Sequence, residues 1–104
     1  MKSESLILFS RKGCCLCEAL EERLLNLAWE NLNPSINLKI LDIDTKEVTL
    51  EERRLYTNEV PVLVLDSIIL ARKLKFPRVS PRLKKDQLFL WLQNKLDNYY
   101  QSSS

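Results

Sequence analysis

The chain has 104 residues, of which 45% are hydrophobic and 29% charged, with a formal net charge of +2. That composition predicts one soluble globular domain with a single core and little spare stability. It excludes a membrane-spanning chain, because no run approaches the ~18 apolar residues of a membrane helix, and the net charge is too small to imply nucleic acid.

The N-terminus, Met1-Lys2-Ser3-Glu4-Ser5, is polar. The apolar run after it is shorter than a signal-peptide core and is cut off by Arg11-Lys12. A reducing, cytoplasmic compartment is therefore expected. There, three cysteines are expected to be catalytic or regulatory rather than a structural framework.

Leu6 to Ser10 reads as a buried strand, short and apolar. It leads into Arg11-Lys12-Gly13-Cys14-Cys15-Leu16-Cys17, a C-x-x-C at a strand-to-helix junction. The first N–H groups of a helix have no intrahelical partner, and the helix dipole adds partial positive charge there. A thiolate at Cys14 can accept those N–H groups. Cys17 lies one helical turn on, on the same face, and can close a disulfide with Cys14. The simplest reading is a redox dithiol. Two alternatives stand beside it. Cysteines are often buried as small hydrophobes. A C-x-x-C is also half of a zinc site, but the chain has no histidine and only three cysteines, so no metal site is expected.

A helix is predicted over about Cys15 to Glu30, with Leu16, Leu20, Leu24 and Leu27 as its apolar stripe. Asn33-Pro34 ends that unit. Ile36 to Ile40 alternates apolar with polar, a strand with one wetter face, closed by Asp42 and Asp44. A second helix falls between Thr45 and Thr57. Two starts compete for it: Thr45, or Thr49 with Glu52 completing a capping box. Leu55 and Tyr56 face the core in either case. Pro61 to Leu65 is the third strand, with the proline at its first residue because proline cannot donate to a ladder. A cis Val60–Pro61 bond is predicted there. Asp66-Ser67 reads as a tight turn, and Ile68 to Ala71 as the antiparallel return. The last helix covers about Leu83 to Asn98, with Leu88, Trp91, Leu92, Lys95 and Leu96 inward and Ser80-Pro81 as an earlier start signal. Gln101 to Ser104 is a polar tail. The order β-α-β-α-β-β-α predicts an α/β fold, a four-stranded mixed sheet with helices on both faces. It forms one domain over residues 1–104, with its core at about 5–98.

A strand, a C-x-x-C on a helix, a second βα unit and a Val-Pro leading a strand resemble the thioredoxin superfamily. More closely, Ser10 through Cys17, Leu41-Asp42-Ile43-Asp44 and Tyr56 through Leu63 look like a small glutaredoxin-like family catalogued as a domain of unknown function. The resemblance covers residues 5–66 well and the rest weakly. It implies a thioredoxin-like fold in which a cis Pro61 packs against the C-x-x-C. It further implies that Val60 offers its backbone N–H and C=O to a substrate disulfide or to glutathione. Cys14 is then the catalytic nucleophile and Cys17 the more buried resolving thiol, the pair forming a redox-active disulfide. Arg11 holds the place of a lysine common in glutaredoxins. Arg11 and Lys12 are either cationic substrate contacts or a solvated loop pair. Cys15 is either packed or a third thiol open to mixed disulfides, since a bond to its neighbour Cys14 would be strained.

The chain departs from glutaredoxins where their Gly-Gly-acid loop would stand, for its only glycine is Gly13. In that place are Arg72, Lys73, Lys75, Arg78, Arg82, Lys84 and Lys85, with no acid between. They read as a solvated face, or as a docking patch for an acidic partner. The leading expectation is a thiol–disulfide oxidoreductase with a dithiol mechanism. It would act as a monomer on a disulfide-containing protein or a small disulfide. No tightly bound cofactor is expected, and glutathione is the candidate reductant. The alternative is a non-enzymatic thioredoxin-fold adaptor, or an iron–sulfur carrier through Cys14.

Overall fold

The computed structural model describes residues 4–32, 35–80 and 82–101. The helix stop at Asn33-Pro34, the start signal at Pro81 and residues Ser102 to Ser104 of the expected tail lie outside them, while Gln101, expected to open that tail, is helical. The strands are β1 (Glu4–Ser10), β2 (Ile36–Asp42), β3 (Val62–Ser67) and β4 (Arg72–Lys75). The helices are α1 (Cys15–Leu25), α2 (Leu50–Tyr56) and α3 (Lys85–Gln101), with a 3-10 turn at Trp29–Asn31. The element order is the predicted one. The sheet runs β2-β1-β3-β4. β1 pairs parallel with β2, Leu8 opposite Ile40, and antiparallel with β3, Leu8 opposite Leu63.

β1 is central and apolar on both faces, so its alternate side chains feed two cores. Leu6 and Leu8 join Leu20 and Leu24 of α1 and Leu88, Leu92 and Leu96 of α3. Ile7 and Phe9 join Leu41, Ile43 and Val48 on the other side, where Tyr56 of α2 packs. Each fully buried leucine or phenylalanine here is worth about 1.5–3 kcal/mol over its exposed state. One strand thereby holds helices on both faces, the thioredoxin-like arrangement.

The structure corrects several boundaries. α1 stops at Leu25, not near Glu30. Side chains take the carbonyls of its last turn: Asn26 Nδ2 donates to Glu22 O (2.8 Å), and the Trp29 indole donates to Leu24 O (2.7 Å). Its buried positions are Cys17, Leu20 and Leu24, followed by Leu27 just beyond. Leu16 is 49% exposed, so Cys17 takes the inward place assigned to it. At α2 the Thr49 start prevails. Thr49 Oγ1 accepts from Glu52 N–H, and the Glu52 carboxylate accepts from Thr49 N–H, both at 3.1 Å. Only Tyr56 then reaches the core, its ring centroid 5.1 Å from that of Phe9. Leu55 is 55% exposed, because a seven-residue helix has few inward positions.

The β3–β4 hairpin differs most. Asp66 and Ser67 are ladder residues, paired with Lys73 and Arg72. The turn is Ile68 to Ala71, and the returning strand is Arg72–Lys75. The Glu4 carboxylate decides this by accepting N–H bonds from Ile68 (2.7 Å) and Ile69 (3.2 Å). Those two isoleucines are left exposed in a turn. Ala71 closes it with a left-handed φ of 57°. On α3, Leu88, Leu92 and Leu96 are fully buried as expected. Trp91 sits at the margin, edge-on to Phe76 at 5.8 Å, and Lys95 is half-buried. Among the described residues, no helix is long and apolar enough to cross a membrane.

Candidate active site

β1 ends at Ser10, and Gly13 turns the chain with φ 80°, a conformation that favours glycine. Cys14 is then the N-cap of α1, in extended conformation. Its Sγ accepts the Cys17 N–H at 3.2 Å, one of the orphan donors of the first turn. Its carbonyl accepts the Glu18 N–H at 3.0 Å and starts the helix. Cys14 is half-buried, Cys15 exposed and Cys17 fully buried, and all three are free thiols. The Cys17 thiol is pushed up to about 11. Burial is the main cause and its hydrogen bond with Cys14 the next, while the Arg11 backbone and the Arg11 charge oppose them. An accessible sulfur at a helix N-terminus, with a second thiol one turn behind, is an arrangement suited to disulfide exchange.

The Val60–Pro61 bond is cis, as predicted. Val60 is not free in the way expected of it: its N–H donates to Tyr56 O at 3.1 Å, closing the turn after α2. Its carbonyl is the group left to consider. Lys12 is exposed. Arg11 is tied down. Its guanidinium donates to both Asp44 carboxylate oxygens (2.9 and 3.1 Å), to Thr57 O (3.0 Å) and to Thr57 Oγ1 (2.6 Å). The Asp44 hydrogen bond raises the guanidinium pKa, and the same bond holds the Asp44 carboxyl below its usual range.

Two clefts flank Pro61. One, of about 400 Å³, is lined by Pro61, Lys75, Phe76, Arg78 and Val79 among others. The second, of about 110 Å³, lies against Leu16, Leu20, Pro61, Arg78 and Val79. Three cations of the basic run have partners in the fold. Lys73 pairs with Glu52 at 3.4 Å and Lys75 with Glu59 at 2.8 Å. Arg78 donates to Glu59 O at 3.3 Å and borders both clefts. Sequence reasoning missed Leu16, Arg78 and Val79 as cleft walls and the Asp44–Thr57 seat of Arg11. The helical period places Leu16 on the inward stripe of the helix, so its outward position gave no signal. Residues 33 and 46 positions away from Arg11 offered none. No group of three or more cysteine or carboxylate ligands comes together among the described residues.

The sequence pattern of the glutaredoxin-like domain (DUF836) matches residues 5–93. The chain belongs to that family. The match takes in residues 67–93 as well, where the resemblance is weaker. Among solved structures, this glutaredoxin-like domain is similar to a malarial protein at 17% identity and a TM-score of 0.59, covering 89% of this chain and 97% of that one. It also matches the X-ray structure of a structural-genomics target protein from X. campestris at 24% identity and a TM-score of 0.48, over 86% and 96% of the two chains. The first likeness supports the fold. No curated protein matches the chain.

Proposed function

We propose that this glutaredoxin-like domain is a thiol–disulfide oxidoreductase with a dithiol mechanism. The observation that carries the reading is the Cys14 sulfur at the N-cap of α1, accepting the Cys17 N–H while Cys17 lies buried behind it. The Cys14 thiolate attacks one sulfur of a substrate disulfide and releases the other as a thiol. Cys17 then loses its proton and attacks Cys14 Sγ, and the remaining substrate sulfur leaves as a thiol. The substrate disulfide is reduced by two electrons, and Cys14–Cys17 becomes a disulfide. Pro61 and the Val60 carbonyl border the approach, with Lys12 beside it. The substrate is a protein disulfide or a small disulfide, and Arg78 supplies a cationic wall for an acidic one. Glutathione or a dithiol reductase resets the pair in a reducing, cytoplasmic compartment, with the protein acting as a monomer.

The test is a titration of the purified protein in glutathione and dithiothreitol redox buffers, followed by intact mass. A two-electron couple with loss of two hydrogens, mapped to Cys14 and Cys17, is expected. Visible absorbance of an iron–sulfur cluster after anaerobic purification, with no such couple, overturns the reading in favour of a carrier.

A further inference from the structure

Helix α1 presents Leu16, Ala19 and Leu20 on one face, at the spacing that sets side chains next to one another. Together with Pro61 and Val79 they form the apolar walls of the smaller cleft. Leu20 is buried, Ala19, Pro61 and Val79 are half-buried, and Leu16 is exposed. A lone exposed leucine needs no explanation. This one continues an apolar cleft and stands two residues from Cys14 in the chain. At about 110 Å³ the cleft holds about four waters at ~30 Å³ each. Small-molecule pockets run to ~300–1,000 Å³, so its scale is that of one aliphatic side chain. Its charged walls are Arg23 and Arg78, and among the described residues no acid lines it. Arg78 also lines the larger cleft. It donates to the Glu59 carbonyl at 3.3 Å, and among the described residues no carboxylate pairs with it, whereas Lys75 already faces the Glu59 carboxylate.

We propose that this cleft is a specificity subsite for protein disulfides: it takes the aliphatic side chain of the residue next to the substrate cysteine, and Arg78 takes the carboxylate of an acidic residue one further along. The inference rests on the dithiol reading above and narrows its substrate. Pro61 lines both clefts, so an extended chain that crosses it with its cysteine at Cys14 has one cleft on either side. An aliphatic group in the smaller one removes the surface of Leu16, Leu20 and Val79 from water. The carboxylate beside it meets a cation whose charge the fold leaves uncompensated. Glutathione has no aliphatic side chain beside its cysteine and carries charged groups at both ends. Laying one of them against the apolar walls costs its hydration. The covalent steps are those of the pair: Cys14 Sγ bonds to the substrate cysteine sulfur and the partner sulfur leaves as a thiol. Cys17 then displaces the substrate cysteine as a thiol and closes the Cys14–Cys17 disulfide.

The probes are four mixed disulfides of thionitrobenzoate, each mixed rapidly with the reduced Cys15→Ser protein. In three of them a short blocked peptide has its cysteine flanked on both sides, by leucine then aspartate, by serine then aspartate, or by leucine then asparagine. The fourth carries glutathione. Attack on the peptide sulfur releases thionitrobenzoate, whose absorbance gives the rate. The leucine–aspartate peptide is expected to react about tenfold faster than the serine peptide or glutathione. It should react about two- to fivefold faster than the asparagine peptide at low salt. Leu16→Ala, at an exposed position, is expected to cut the leucine-over-serine ratio to about twofold, and Val79→Ala to lower it in the same direction. Arg78→Gln is expected to bring the aspartate and asparagine peptides to one rate. Equal rates for the leucine and serine peptides overturn the proposal, as does a leucine preference that both Leu16→Ala and Val79→Ala leave unchanged. A leucine preference without an aspartate preference overturns the role given to Arg78. Intact mass separates these results from a failure of the dithiol reading. A protein that stays a peptide adduct, with no Cys14–Cys17 disulfide, defeats that reading and the proposal with it. A resolved reaction with equal rates defeats the subsite alone.

Discussion

Strand β1 carries a charged anchor at each end, and the two anchors are built for opposite ends of the chemistry. Glu4, at its start, is 4% exposed and accepts from the Ser67 hydroxyl, the Tyr100 hydroxyl (2.6 Å) and the N–H groups of Ile68 and Ile69. Arg11, just past its end, also makes four hydrogen bonds, but nearer the surface and on the loop that leads to the thiols. The Glu4 anchor joins β1, the β3–β4 turn and the last turn of α3 around one carboxylate. The Arg11 anchor joins three loops around one guanidinium. Burial opposes ionisation of Glu4, yet its hydrogen bonds from Ser67, Tyr100, Ile68 and Ile69 together outweigh it and hold the carboxyl below its usual range. A closed, satisfied site of this kind rigidifies the fold. The thiol end leaves one sulfur half-exposed and cannot be closed in the same way.

The largest effect expected is at the thiol end. Cys14→Ser should abolish disulfide reduction, while Cys17→Ser should retain attack and accumulate mixed disulfide, read by thiol-probe kinetics and intact mass. If Cys17→Ser reacts no faster than Cys14→Ser, the roles are reversed or absent. The opposite end should fail in stability instead. Glu4→Ala removes the acceptor of two hydroxyls and two N–H groups and should cost about 2–4 kcal/mol in urea unfolding. The rate of Cys14 with a thiol probe, per folded molecule, should not change. A changed rate would show that the two anchors are coupled through β1.

A subtler contrast lies in acid. The folded pKa of Glu4 is depressed, so its contribution is present above the unfolded value of ~4.3 and is lost as pH falls through the folded value. Melting temperature should therefore drop below about pH 4 in the native chain. The drop should be shallower in Glu4→Gln, which starts lower at neutral pH. Equal slopes for the two proteins would remove Glu4 from the acid response. The smallest effect belongs to the basic run. Arg72→Gln with Lys73→Gln and Lys75→Gln should reduce the salt dependence of reaction with an acidic disulfide peptide only slightly, since Lys73 and Lys75 already face Glu52 and Glu59. Arg78→Gln should lower that rate about two- to fivefold at low salt, an effect fading as the screening length falls to ~3 Å at 1 M. A larger loss in the triple variant than in Arg78→Gln would favour a docking patch that includes Arg72, Lys73 and Lys75.

Local chemistry was legible wherever a residue's partner lay within a turn of it. The C-x-x-C and the cis Val60–Pro61 bond are of that kind, as is the capping box of Thr49 and Glu52, one of the two helix starts that competed; the strand itself begins one residue later than read, at Val62. The β3–β4 turn was not legible, because the group that stabilises it, Glu4, is 64 residues from Ile68. Hydrophobicity alone made Ile68 to Ala71 look like a strand. The outward placement of Leu16 was hidden for a related reason: the stripe of α1 is set by where the helix meets the sheet, and Cys17 satisfies the same periodicity.

The sequence by itself determined the element order, the buried apolar first strand, the cysteine pair and the cis-proline position. Each of these follows from spacing, backbone restriction or hydrophobic period, which act over a few residues. Only the tertiary structure decided which cations are spoken for. Arg11 meets Asp44 and Thr57, Lys75 meets Glu59, and Arg78 borders both clefts beside Pro61. A charge has no local pattern that names its partner, and its role depends on which acceptors the fold brings within ~3 Å of it.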